Sequence, residues 1–287
     1  GYPNPKRSHF TSTDIWHTAS LSPKETNTGW LGRTVDGQLA ESGRGVPAVQ
    51  LDPGPLSLAL IGERIVVPSI RDARNFRVRG NAGLLERLSD GRGGSDMLRF
   101  VRGSAREAYR MAGSLSRALK DVSGADSYPG TPLARRLWQI ARLVQSGLST
   151  RVYGVRLGGF DTHARQRTGH EGLLRSVGDA VGAFYKDLKA HGLADRVLVV
   201  TYSEFGQRVK ENRSLGTDHG AAAPILAVGG RVRGGVHGKH PSLTDLSDGD
   251  LIHHTDFRQV YASILDRWLN ADPRTILGGD FEPVPFL

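Results

Sequence analysis

Three short stretches of this chain carry side chains able to hold a metal ion. The first is Asp218-His219, flanked by Gly216 and Gly220 and followed by the apolar run Ile225–Val228. A carboxylate and an imidazole on adjacent residues, where a loop enters a buried strand, would be held rigidly enough to act as ligands. The second is Asp161-Thr162-His163, after the turn-forming pair Gly158-Gly159, where two ligand types two residues apart can reach one ion. The third is Ser203-Glu204, directly after the β-rich run Arg196–Tyr202. Asp161, His163, Glu204, Asp218 and His219 together make an oxygen and nitrogen donor set without sulfur. Such a set suits zinc, manganese, magnesium or calcium and does not suit an iron–sulfur cluster. A further imidazole could come from His237, His240 or the His253-His254 pair, although the pair reads more simply as surface residues at a helix start.

A nucleophile is available near the beginning. The segment Asn4–Asp14 collects hydroxyls, a histidine and two cations, so that Ser8 or Thr11 could be activated by a metal while Lys6 and Arg7 draw in an anion. The competing reading makes these hydroxyls helix caps. Neither the Gly-x-x-x-x-Gly-Lys-Ser/Thr nor the Gly-x-Gly-x-x-Gly phosphate loop occurs, and there is no Gly-x-Ser-x-Gly elbow. With no cysteine, thiolate catalysis, disulfides and Cys-ligated metals are excluded.

Lysine and arginine outnumber aspartate and glutamate 38 to 29, a net charge of +9 that fits an anionic ligand. Nucleic acid is not the expected partner: arginines such as Arg71, Arg74, Arg77, Arg79, Arg99 and Arg106 are scattered and lack interleaved aromatics. No apolar run approaches the roughly 20 residues of a membrane span. The chain opens on Gly1-Tyr2-Pro3 with neither Met nor an apolar leader, which reads as a processed or truncated piece of a longer protein.

The 287 residues fit one domain, and 37 glycines with 14 prolines favour a loop-rich α/β fold over a helical bundle. Residues 1–54 read mostly as ordered loop, with short helices near Ser12–Ala19 and Gly29–Leu39. Leu56–Ile61 and Arg64–Pro68 read as a hairpin around Gly62-Glu63. From Asn81 to Gly147 the pattern is helical, at Leu84–Leu88, over Met97–Leu119, and after Thr131 as N-cap with Pro132 at the first helical position. Strands Arg151–Leu157, Arg196–Tyr202 and Ile225–Val228 then alternate with a helix over 164–190 that buries Leu173, Leu174, Val177, Val181, Phe184 and Leu188. A last helix spans Leu251–Leu269. That alternation predicts a parallel sheet with helices on both faces and the three ligand stretches at strand ends.

Longer motifs carry a family resemblance. Asn4–Trp16, Gly29–Arg33, Gly159–His163, Ser203–Arg208, Glu211-Asn212, Gly216–Gly220 and Thr255–Tyr261 resemble the bacterial domain-of-unknown-function family DUF1501 through essentially the whole chain. That family is grouped with the alkaline phosphatase and sulfatase superfamily, so the resemblance implies a three-layer sandwich around a mostly parallel sheet. It also implies two divalent metals and hydrolysis of phosphate or sulfate esters of small molecules or polysaccharides. Asp218 and His219 then look like one adjacent Asp-His ligand pair, Asp161 and His163 like another, Ser8 like the nucleophile, and Arg7, His9 and Arg208 like substrate-binding residues. Members begin with an export signal, often twin-arginine, and a first strand that this chain lacks, so a periplasmic or secreted full-length form is expected. A non-catalytic exported protein binding metal or polysaccharide with the same fold is the second reading.

Overall fold

The computed structural model describes residues 1–3, 5–42, 47–70 and 124–287, with 94–95, 98, 102–103, 113–114 and 116–118 between them. The helices expected at Leu84–Leu88 and over Met97–Leu119 lie outside the described residues, apart from those few positions.

Helix α1, His9–Thr18, follows Ser8 in extended backbone and turns Ser12, Ile15 and Trp16 inward, the three-and-four spacing of one buried face. Helix α2 covers Trp30–Ser42. Near the other end of the chain, helix α5, Phe257–Ile264, is set by a capping box in which Asp256 accepts from Arg258 N and Gln259 accepts from Asp256 N. It continues as a π-helical stretch over Leu265–Leu269, and helix α6 spans Pro273–Leu277. These helices share an aromatic core: Trp16 stacks on Phe257 with ring centroids 4.2 Å apart, and Trp30 stacks on Tyr261 at 4.1 Å. Arg33 locks them together, donating to the carbonyls of Thr18, Thr28 and Ile276. The helix expected over Leu251–Leu269 therefore starts at Phe257, because Leu251 is taken up in a strand, and α6 follows it.

A second core lies under helices α3, Pro132–Gln145, and α4, Gln166–Ala190. Thr131 caps α3 as expected, its hydroxyl accepting from Ala134 N at 3.2 Å. The stripe of α4 is fully buried at Phe184 and Leu188 and partly at Val177 and Val181, whereas Leu174 is 51% exposed. These helices cover β1, Ala48–Gln50, which pairs in parallel with β2, Val152–Gly154. Strand β1 falls in a stretch read as loop. Its last residue is polar, and buried Gln50 satisfies itself against Pro55 O, Ser57 N and Ser69 Oγ.

The remaining pairs are antiparallel. β3, Val199–Thr201, pairs with β6, Leu226–Val228. Between them the chain makes a hairpin, β4 Gly206–Glu211 with β5 Thr217–Gly220. A hairpin returns the chain on the same side, so the parallel relation expected of Arg196–Tyr202 and Ile225–Val228, which needs a crossover, does not arise. β7, Leu246–Ser247, pairs with β8, Asp250–Leu251. The hairpin expected at 56–68 is also absent: Leu58–Leu60 is a 3-10 turn. The backbone N–H groups of Glu63, Arg64 and Ile65, which a ladder would use, donate instead to the Asp36 carboxylate.

His17 on α1 makes this packing sensitive to acid. Burial, reinforced by the charge of Arg156, lowers its pKa from 6.5 to about 4. Between those values the unfolded chain binds a proton that the folded one refuses, so stability falls as pH drops from 6.5 to about 4 and then levels. Urea midpoints measured across that window should fall by an amount on the order of 2 kcal/mol in free energy, and His17→Gln should flatten the fall.

Candidate metal centre

The tip of the β4–β5 hairpin is docked backbone to backbone on the loop that follows β2. A Cβ on Gly216 would lie 2.1 Å from the carbonyl carbon of His163, so only glycine permits the approach. Three main-chain bonds stitch the two segments, Arg165 N to Ser214 O at 3.0 Å, Gln166 N to Leu215 O at 2.8 Å and Thr217 N to Thr162 O at 3.3 Å, and a fourth, Asn212 N to Gly216 O at 2.8 Å, closes the tip itself. The Asn212 side chain completes the joint. Its Oδ1 accepts from Ser214 N and Gly216 N, while its amide donates to His163 O at 3.0 Å and to Asp218 Oδ1 at 3.2 Å. Helix α1 is brought in by Ser12, whose hydroxyl donates to Glu204 O and contacts the Tyr2 hydroxyl at 2.8 Å.

His9, Asp161 and His219 thereby meet. Among the described residues they form a group in which one ligand atom from each lies within 4.8 Å of the others. Asp161 is its hub: Oδ1 is 2.9 Å from His219 Nε2 and 2.8 Å from His163 Nε2, and Oδ2 is 3.2 Å from His9 Nε2. The outer nitrogens are also engaged. His219 Nδ1 lies 2.9 Å from Arg7 O, and His9 Nδ1 lies 2.8 Å from Glu204 Oε1. A carbonyl or carboxylate oxygen can only accept, so a ring with its one proton on Nδ1 turns Nε2 to Asp161 as a lone pair, and a second proton on Nε2 makes the ring an imidazolium that donates to Asp161. Two imidazole lone pairs and a carboxylate facing one another repel unless a cation or a proton lies between them. The residues thus fit a divalent cation bound by two nitrogens and an oxygen. The electrostatics carry the same mark. The bond to Glu204 raises the His9 pKa above 6.5 despite partial burial, with Asp161 contributing. Burial pushes the Asp161 carboxyl up, but His219, His163 and His9 outweigh it and hold the group below its ordinary value.

The expected residues divide. Asp161 and His219 occupy the group, with His163 beside it, 2.9 Å from His219 Nε2. His9, expected at the substrate, is the third member of the group. The available signal was an imidazole directly beside Ser8, the candidate nucleophile. Glu204 lies outside the group, against the back of His9. Asp218 also lies outside it: on β5, neighbouring side chains point to opposite faces, and Asp218 is 64% exposed with Oδ1 3.6 Å from His163 Nδ1. Ser8 is exposed, the N-cap of α1 without a side-chain cap bond, so its hydroxyl is free. Arg7 and Arg208 both reach Asp250. His237 Nε2 and His240 Nδ1 meet the carbonyls of Arg233 and Pro241, away from the group. Asn212, which joins both ligand loops, was not singled out as a site residue, although an asparagine four residues before a glycine at a hairpin tip is a turn signal.

The model of the family described as "Protein of unknown function (DUF1501)" matches residues 1–275. The chain belongs to the DUF1501 family. No curated protein and no solved structure matches it. The DUF1501 match takes in His9, Asp161, Glu204, His219 and the Asn212–Gly216 tip alike. No described helix is long and apolar enough to cross a membrane.

Gly216→Ala should push the hairpin off the loop, lowering stability by about 1–3 kcal/mol. Gly37→Ala, at an open position of α2, should be neutral or stabilising. Thermal melts of the two variants side by side check the contrast.

Proposed function

We propose that this chain is a metal-dependent hydrolase of phosphate or sulfate esters. The observation that carries the reading is the convergence of His9 Nε2, Asp161 and His219 Nε2, with both Nδ1 atoms held from behind by Glu204 and Arg7 O. These residues would hold a zinc, manganese, magnesium or calcium ion. A cation there would polarise the ester oxygens and lower the pKa of a hydroxyl brought beside it. Ser8, next to His9 and free of a capping bond, is the hydroxyl in this reading, and the N-terminus of α1 favours negative charge close to it. Glu204 orients His9 by accepting a hydrogen bond from its Nδ1–H, and the Arg7 carbonyl does the same for His219. His163 Nδ1 and Asp218 are the residues a second cation would draw on.

Membership of the alkaline phosphatase and sulfatase superfamily, with its three-layer sandwich around a mostly parallel sheet, belongs to the same proposal. It is supported by the parallel β1–β2 pair under α3 and α4. So does an exported, periplasmic or secreted, full-length protein. A second reading, a non-catalytic protein binding polysaccharide, draws on Phe10, whose ring is 86% exposed one residue from His9, as a face on which a sugar could stack.

Metal titrations should find His9→Ala, Asp161→Ala and His219→Ala unable to retain zinc or manganese, and Glu204→Gln weakened by roughly 10- to 100-fold because it only orients. Unchanged metal content in His219→Ala would overturn the centre. Screened against phosphate and sulfate esters with added metals, the protein should turn over at least one class and lose that turnover to a chelator and to Ser8→Ala. Glycan retention without turnover would favour the second reading.

A further inference from the structure

The two arginines expected at the substrate converge elsewhere, on a carboxylate that is nearly inaccessible. Asp250 on β8 has a side chain only 4% exposed, and the Arg7 guanidinium contacts its Oδ2 while Arg208 Nε lies 3.2 Å from its Oδ1. Both guanidiniums stay open to solvent on their other side, at 40% and 28% exposure. Two cations on one buried anion leave one positive charge unbalanced at this surface.

A second carboxylate sits over it. Strands β7 and β8 are joined by the two-residue turn Asp248-Gly249, with φ of 51° and 77°, the left-handed pair that a tight hairpin of this kind requires. The turn carries Asp248 Oδ2 to 3.6 Å from Arg7 Nη2 and 3.7 Å from Arg208 Nη2, the same oxygen facing both. These separations are too long for hydrogen bonds, and the Asp248 side chain is 87% exposed. It supplies charge without supplying bonds. A phosphate, sulfate or carboxylate group with two or three free oxygens could approach both Nη2 atoms at charge-assisted hydrogen-bond distance, which the tethered Asp248 does not do.

We propose that Arg7 and Arg208, seated on Asp250, form an oxyanion-binding subsite, and that Asp248 is an internal anion occupying it until an external oxyanion displaces it. The proposal deepens the ester-hydrolase reading, on which its use by a substrate rests: the Arg7 carbonyl holds the back of His219, so the subsite adjoins the metal centre and is placed for a second acidic group on the ester. Binding of the oxyanion itself does not need the metal.

Inorganic phosphate is the probe, titrated calorimetrically at fixed ionic strength in the presence of EDTA, so that failure of the metal centre leaves the outcome intact. Asp248→Asn keeps a residue tolerant of the left-handed turn and removes the competing charge. It should bind phosphate about five-fold more tightly than the unaltered protein, the scale expected for an exposed ion pair. Adding Arg208→Gln to that variant should abolish the gain. An affinity unchanged by Asp248→Asn, or a gain that survives Arg208→Gln, overturns the proposal. With metal restored, tighter binding of a bisphosphate than of the matching monophosphate assigns the oxyanion to the substrate, and equal binding assigns it to a free anion.

Discussion

The contact between the Gly216 and His163 backbones is the constraint on which the rest of the centre depends. It is a main-chain contact, so no choice of side chain can reproduce it at a larger separation. Once made, it fixes the loop carrying Asp161 relative to the strand carrying His219. It also hands the carbonyls of Ser214 and Leu215 to the amides that open helix α4. One turn of chain thus ends a hairpin, begins a helix and walls one side of the centre. Asn212 serves the same joint from within, spending every hydrogen-bonding group of its amide on it.

The other side is held by packing. His9 sits at the start of a helix whose inner face, Ser12, Ile15 and Trp16, is anchored in the aromatic core with Phe257 and Tyr261. The core can therefore hold His9 against Asp161 even though partial burial there opposes the charged forms of both. Sites that do chemistry commonly carry such local opposition, sustained by stability elsewhere in the fold. The arginines follow a related pattern. Arg33 is consumed inside the molecule by three carbonyls, while Arg7 and Arg208 gather on the buried Asp250 with Asp248 over them, so the cationic side chains are not simply spread over the surface.

Much of this could be read from residue types and spacing where signals are local. Thr131-Pro132 gave the start of α3, Asp256 lies at the cap of α5, and Asp161 and His219 were recognisable as ligand types beside glycines. What failed depends on partners distant in sequence. Gln50 interrupts an apolar run and hides β1, because its three partners lie between Pro55 and Ser69. The expected hairpin at 56–68 is lost to the Asp36 carboxylate on another element. Asp218 and Glu204 have ligand chemistry, and strand alternation sets one beside His163 while the other lies against His9, so neither joins the group of three. His9 shows the reverse case, an imidazole whose role is set only when residues 161 and 219 arrive.

The separations in that last case bear on the whole chain. His9 and Asp161 are 152 positions apart, and Asp161 and His219 a further 58. An ion gripped by all three closes two long loops at a single point, and the free energy of gripping it adds directly to that of folding. In a sequence without cysteine, the centre would do for the tertiary structure what a pair of long-range disulfides does for a secreted protein. It would be a cross-link set by metal supply instead of by oxidation.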